Sequence, residues 1–228
     1  MDKLEAGLSA LENSDQDIKA AFKGRSEIIR KTLDAYINEI ELFNAAYGLV
    51  GARTREELVV RHILDSLAPL GCIRRLAKEA PSLTLADLGS GAGLPGIPLA
   101  IALPDIQITL IERMGKRAGF LRNTLAVLGL KNAGLEETSL GQAAPTRFGL
   151  VTSRAFMPLT DKALKNMLRI LMPEGILTAY KGKQEKIEKE RNALQGQYPP
   201  WELLPCPVPF LDEERHFVVM KKRILAAR

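Results

Sequence analysis

A carboxylate stands two residues ahead of a tight run of glycines in Asp87-Leu88-Gly89-Ser90-Gly91-Ala92-Gly93-Leu94-Pro95-Gly96, and Glu112 follows 23 residues after Gly89. Glycines let a backbone turn sharply and let a ligand approach with no Cβ in the way. The loop is preceded by a short apolar run at 84–88, and Glu112 closes a second run at 107–111. In open α/β sheets ligands bind beyond the carboxyl ends of the strands. A carboxylate at the end of the second strand can accept both hydroxyls of an adenosine ribose, so Asp87 and Glu112 belong to one nucleoside-binding arrangement.

Two ligands compete for such a loop. Gly91-Ala92-Gly93-Leu94-Pro95-Gly96 satisfies the dinucleotide spacing G-x-G-x-x-G, and Glu112 suits its ribose. A pyrophosphate, however, wants backbone N–H groups and the positive end of a helix. Asp87 adds negative charge nearby, and Pro95 stands where such a loop would offer an N–H. S-adenosylmethionine instead carries a sulfonium and an α-ammonium, which an adjacent carboxylate stabilises. The residues therefore favour the methyl donor, with Asp87, Gly89, Gly91, Gly93 and Glu112 as its candidate contacts.

The acceptor is narrowed by what is missing. After a fourth apolar run the chain reads Ser153-Arg154-Ala155-Phe156-Met157-Pro158. It has no Asn/Asp-Pro-Pro-aromatic segment of the kind that takes an amine. Cys72 and Cys206 lie far from these loops, which argues against attack on a ring carbon through a cysteine. An acceptor that is nucleophilic while neutral remains, and guanine N7 fits, with an in-plane lone pair and no proton to remove. Transfer would then depend on positioning and electrostatics without a general base. Arg154 could hold donor or acceptor, or form a surface ion pair. Phe156 could stack on a flipped base or serve as a core aromatic.

These residues need a scaffold. Apolar residues Ile29, Leu33, Tyr36, Ile40 and Phe43 step by three or four and predict a helix over 26–43; a second helix is expected over 56–70, ended by Gly71. From 84 onward strands and helices alternate. Strands are predicted at 84–88, 107–111, 134–138, 148–153 and 176–180, with helices at 96–102, 115–128, 159–171 and 183–194. Pro173-Glu174-Gly175 reads as a turn, and 201–204 and 216–220 as a closing antiparallel pair. Such alternation implies parallel β-α-β units. The expected organisation is a helical extension over 1–75 and a doubly wound α/β domain over 76–228.

The chain has 228 residues and a formal charge of +5, 46% of it apolar and 26% charged. The first 20 residues hold two lysines and five acids, so the remainder carries +8. Basic clusters at Arg113, Lys116, Arg117 and Arg122, and at Lys181, Lys183, Lys186 and Lys189, suit a polyanion, although interleaved glutamates equally suit solvated helix faces. No apolar run reaches the ~18 residues of a membrane span, and the acidic start lacks the pattern of a secretory leader. With two cysteines and two histidines out of ligand spacing, the expectation is a cytoplasmic protein with no disulfide, no metal, no membrane association and no large oligomeric interface.

Several segments, from about Asn44 to Met220, together resemble the RsmG (GidB) family of bacterial small-subunit ribosomal RNA guanine-N7 methyltransferases. They are Arg61-His62-Ile63-Leu64-Asp65-Ser66, the loop Gly89 to Pro98, Gly115-Lys116-Arg117, Ser153-Arg154-Ala155-Phe156, Lys181-Gly182 and Glu214-Arg215-His216. The resemblance implies a class I S-adenosylmethionine-dependent methyltransferase fold, Rossmann-like, with a seven-stranded mostly parallel sheet. It implies as acceptor N7 of a guanine in a 16S rRNA hairpin near the decoding site of the small ribosomal subunit; a monomer is expected separately, from the lack of any sign of a large apolar interface. It also implies donor contacts at Gly89, Leu94, Glu112, Leu140, Gly141 and Arg154. Two positions depart from the family pattern. Gly48-Leu49-Val50 stands where members tend to read Asn-Leu-Thr, and Gly141 where an acidic residue is common, which leaves only backbone to meet the adenine there.

Overall fold

The computed structural model describes residues 2–155, 157–194 and 196–222. Phe156 lies outside the described residues. The chain opens with α1 (Lys3–Ser14), α2 (Gln16–Phe22) and α3 (Ser26–Tyr47), followed by α4 (Arg55–Leu58), a π-helical stretch (Val59–Leu64), α5 (Asp65–Leu67) and α6 (Leu70–Glu79). The sheet domain then runs β1 (Thr84–Leu88), α7 (Gly96–Ala102), β2 (Gln107–Ile111), α8 (Gly115–Leu128), β3 (Ala133–Glu136) and β4 (Phe148–Arg154). It continues with α9 (Asp161–Ile170), β5 (Leu171–Lys181), α10 (Gln184–Ala193), β6 (Glu202–Pro205) and β7 (His216–Lys221).

The seven strands lie in the order β3-β2-β1-β4-β5-β7-β6. Pairings from β3 to β5 are parallel, while β7 is antiparallel to both β5 and β6. This is the expected doubly wound sheet with an antiparallel pair at one edge. Strand order reverses between β1 and β4, the place where an open sheet leaves a crevice at its carboxyl end. The glycine loop after β1 and Arg154 at the end of β4 both reach that crevice.

Successive residues along the central strands face opposite sides. Leu85, Leu150, Ile176 and Val219 enter one core; Ala86, Val151, Leu177 and Met220 enter the other. The first core also takes α1, α3, α7 and residues of the π-helical stretch, so the N-terminal helices bury their apolar stripes against the sheet domain. Tyr36 of α3 is fully buried, and its hydroxyl donates to Ala92 O at 2.6 Å. One N-terminal helix thereby braces the glycine loop.

Two expectations fail. Gly71 does not end a helix: the chain breaks at Ala68-Pro69, and Gly71 lies inside α6. A Cβ at Gly71 would strike the carboxylate of Asp15, so the glycine serves close packing against the start of α2. Nor is Pro173-Glu174-Gly175 a turn between elements. The segment lies within β5, where Glu174 takes φ +59° and the register with β4 shifts between Phe148 and Leu150. The turn residues form a bulge that the ladder spans.

Replacing Tyr36 with Phe should leave Ala92 O buried without its donor and cost about 1–3 kcal/mol of unfolding free energy. Denaturant unfolding with an unchanged slope would measure that loss. Wild-type stability in the variant would mean that the hydroxyl does not support the loop.

Candidate active site

Leaving β1, the chain turns through Gly89 (φ +64°), Gly91 (φ +59°) and Gly93 (φ +91°), values that side chains other than glycine seldom accept. The turn is held from both ends. Asp87 Oδ2 accepts from Gly96 N at 3.0 Å, and Glu112 Oε2 accepts from Gly91 N at 2.9 Å. Glu112 Oε1 takes Met114 N at 2.8 Å. A Cβ at Gly96 would collide with Leu110 and lie 2.7 Å from Asp87 Oδ2, so glycine is what lets α7 start against that carboxylate.

Gly89, Glu112 and Leu140 meet around a cavity of about 210 Å³, together with Arg113, Met114, Arg117, Thr138 and Ala155. Gly91 and Gly93 shape the loop beside it. Leu94 is 4% exposed and packs into the core. Gly141 is exposed, and Arg169 holds the carbonyls of Leu140 (3.0 Å) and Gly141 (3.2 Å). Arg154 lines a second, larger cavity of about 720 Å³, and Ala155, at φ +50°, borders both. A non-glycine residue in that conformation is strained by about 1–2 kcal/mol, a feature concentrated at functional sites.

The larger cavity is built around Asp65, a residue that sequence reasoning quoted but gave no role. Its Oδ2 accepts from Arg154 Nη1 at 2.9 Å and its Oδ1 from Arg215 Nε at 3.0 Å. Arg154 Nη2 also meets His62 Nδ1 at 3.2 Å. The π-helical stretch sets this up, with Arg61 O accepting from Arg154 Nη1 at 3.4 Å and His62 O from Ser66 Oγ at 2.6 Å. Such wider turns recur at functional sites. Tyr180, opposite Arg154 in the β4–β5 register, ties the same segment down by donating to Ser66 O at 2.7 Å. Four cations (Arg61, Arg154, Lys181, Arg215) and two carboxylates (Glu57, Asp65) line the cavity. Among the described residues no cluster of three or more His, Cys, Asp or Glu could hold a metal ion.

Beyond this geometry, the family model described as rRNA small subunit methyltransferase G matches residues 29–218. The chain belongs to that family. Proteins named ribosomal RNA small subunit methyltransferase G are similar along nearly their whole length. The one from Xanthomonas axonopodis pv. citri is 38% identical, covering 96% of this chain and 93% of its own. The one from Treponema denticola is 36% identical, covering 85% and 87%. Among solved structures, a Methanococcus maripaludis protein assigned as an S-adenosylmethionine-dependent methyltransferase matches with TM-score 0.60 at 16% identity, over 84% of this chain and 94% of that one. An Aquifex aeolicus SAM-dependent methyltransferase matches with TM-score 0.55 at 15% identity, over 69% and 93%. At such identities the structural likeness concerns the fold, which is the class I methyltransferase fold.

The loop of this family member has properties that suit a cationic nucleoside ligand. Asp87 is fully buried and its Oδ1 has no hydrogen-bond partner. Burial pushes its carboxyl up to about 6, and the Gly96 N–H only partly offsets that. A cation nearby would relieve the strain of an ionised carboxylate there. Gly91 has only Gly89 O, at 3.8 Å, near the position of a Cβ, so its surface is open to close approach.

Because the carboxyl of Asp87 sits near 6 rather than its ordinary 3.8, the folded state holds this proton more tightly than the unfolded chain. The group therefore favours folding at acid pH and opposes it as pH rises from about 4 through about 6, by about 3 kcal/mol at the limit. Asp87→Asn, which can still accept from Gly96 N, should exceed wild type in unfolding free energy at pH 7 and lose that advantage near pH 4. A difference independent of pH would contradict the buried charge.

Proposed function

We propose that this chain transfers a methyl group from S-adenosylmethionine to N7 of a guanine in the decoding-region hairpin of 16S rRNA, acting as a cytoplasmic monomer on the small ribosomal subunit. The observation that carries the reading is the pair of adjoining cavities at the sheet's switch point. One is rimmed by Gly89 and Glu112, and the other is lined by four cations around the Arg154–Asp65 pair. The family's description and the names of the relatives support ribosomal RNA as the acceptor.

When bound, S-adenosylmethionine supplies an electrophilic methyl on a sulfonium. Glu112 keeps lone pairs beyond those facing Gly91 N and Met114 N, and these are available to ribose hydroxyls. Asp87 contributes negative charge behind the loop. Arg154 orients the acceptor across the strained Ala155, and the cationic lining attracts RNA phosphates. A base-free mechanism fits the surroundings. Cys206 is buried, its thiol pushed up to about 12 by that burial, and neither cysteine lines either cavity among the described residues. His62 is pushed down to about 4 by burial and then by Arg154, so it is neutral at pH 7. Among the described residues no helix is long and apolar enough to cross a membrane.

Tritiated methyl transfer to 30S subunits lacking native modification should label a single guanine near the decoding site, mapped as N7-methylguanine. Label in protein or in metabolites alone would overturn the reading. Arg154→Ala should lower kcat/KM on 30S subunits by at least about 100-fold, the scale of a lost charge-assisted contact in a desolvated site. Asp87→Asn should bind the donor at least tenfold more weakly by calorimetry. RNA affinity should fall steeply with salt as phosphate counterions are released, and salt-independent binding would remove the cationic cavity from RNA contact.

A further inference from the structure

Both purines carry a lone pair at N7, so a site that only presents a methyl group to N7 cannot tell guanine from adenine. On the N7 side the two differ at position 6, where guanine offers a carbonyl acceptor and adenine an amino donor; on the far edge guanine adds the N1–H and 2-amino donors. Selecting guanine through O6, the edge beside N7, calls for a hydrogen-bond donor at the cavity wall.

The cations of the large cavity each pair with a carboxylate. Arg154 and Arg215 share Asp65, Arg61 pairs with Glu213 at 2.7 Å, and Lys181 pairs with Glu190 at 2.7 Å. His62 is different. Its Nδ1 lies 3.2 Å from Arg154 Nη2, a nitrogen that can only donate, so Nδ1 accepts and carries no hydrogen. A neutral imidazole whose Nδ1 accepts holds its proton on Nε2. No partner engages Nε2 among the described residues, and the side chain lines the cavity. The Nε2–H is thus a polarised donor with its tautomer set from behind. Protonation of the ring would place an N–H against the guanidinium, and burial opposes it as well. Around the ring stand Arg154 from β4, Asp65 from α5, Glu57 from α4 and Arg61 from the π-helical stretch, and their combined effect leaves it neutral.

We propose that His62, locked by Arg154 in its Nε2–H tautomer, donates to O6 of the acceptor guanine and is the residue that excludes adenine. The proposal rests on the guanine-N7 reading above. Against adenine, the Nε2–H would face the 6-amino donor, leaving both groups desolvated without an acceptor. One such contact discriminates by about 10- to 100-fold.

The chain has two histidines, His62 and His216, so the tautomer can be read directly in the full-length protein. Long-range ¹H–¹⁵N spectra should assign His62 as neutral and Nε2-protonated from about pH 5 to 8, and Arg154→Ala should mix its tautomers. An Nδ1–H tautomer in wild type, or titration of His62 near its ordinary value, would overturn the proposal. In the second arm, the mapped guanine is replaced by 2,6-diaminopurine, which keeps N7 and the 2-amino group but turns O6 into an amine and loses the N1 proton, so the comparison of wild type with His62 variants isolates the O6 contact. Wild type should prefer guanine at least tenfold in kcat/KM. His62→Ala should lose that preference, and His62→Gln, which retains a donor, should keep part of it. A substitution that merely displaced Arg154 would slow both substrates equally and leave the ratio unchanged, and that result would overturn the role of His62. Wild type that methylates no guanine would instead overturn the reading beneath the proposal, whatever the tautomer spectra give.

Discussion

A carboxylate taken out of water is costly by several kcal/mol unless charge and hydrogen bonds surround it, and Asp65, 6% exposed, meets that demand with two guanidinium groups. The three side chains come from parts of the chain far apart in sequence: the N-terminal helical segment, the end of the central strand β4, and the approach to β7. Joining them fixes three of the residues that line the large cavity. It also holds Arg154 in one orientation, since its Nη1 is engaged by Asp65 and its Nη2 by His62. Its Nε stays buried and unpartnered, a polar atom left over in a site whose remaining demands are met.

The glycine loop depends on a different balance. Asp87 and Glu112 are both buried carboxylates beside the same glycines, but only Glu112 has both oxygens engaged by backbone N–H groups. Asp87 uses one oxygen to anchor the start of α7 and keeps the other unpaired. Tyr36 braces the loop from behind through Ala92. The helices ahead of the sheet therefore shape both places: α3 supports the glycine loop, and Arg61, His62 and Asp65 form a wall of the large cavity.

Much of the sheet was legible because its strands are short apolar runs and its helices amphipathic. β1, α7, β2 and α8 fall at the bounds that periodicity and turn residues indicate. Elements whose identity depends on a neighbour were not. Gly71 carries the sign of a helix end, but a contact with Asp15 explains it. Pro173-Glu174-Gly175 carries the sign of a turn, but the ladder with β4 continues across it as a bulge. The π-helical widening over Val59–Leu64 has no periodic signature in one sequence, and a tertiary hydrogen bond from Arg154 to Arg61 O accompanies it.

By itself the sequence determined the fold class, the glycine loop and the two carboxylates that flank it, because glycine spacing and strand-end position are properties of the local chain. It also singled out Arg154, through its place after a central strand. Only the tertiary structure decided what surrounds Arg154. Asp65, His62 and Arg215 read as ordinary residues on a helix and a loop, 89, 92 and 61 positions away from it. Their chemistry comes from burial and from partners at 2.9–3.2 Å, and neither has any trace in local sequence.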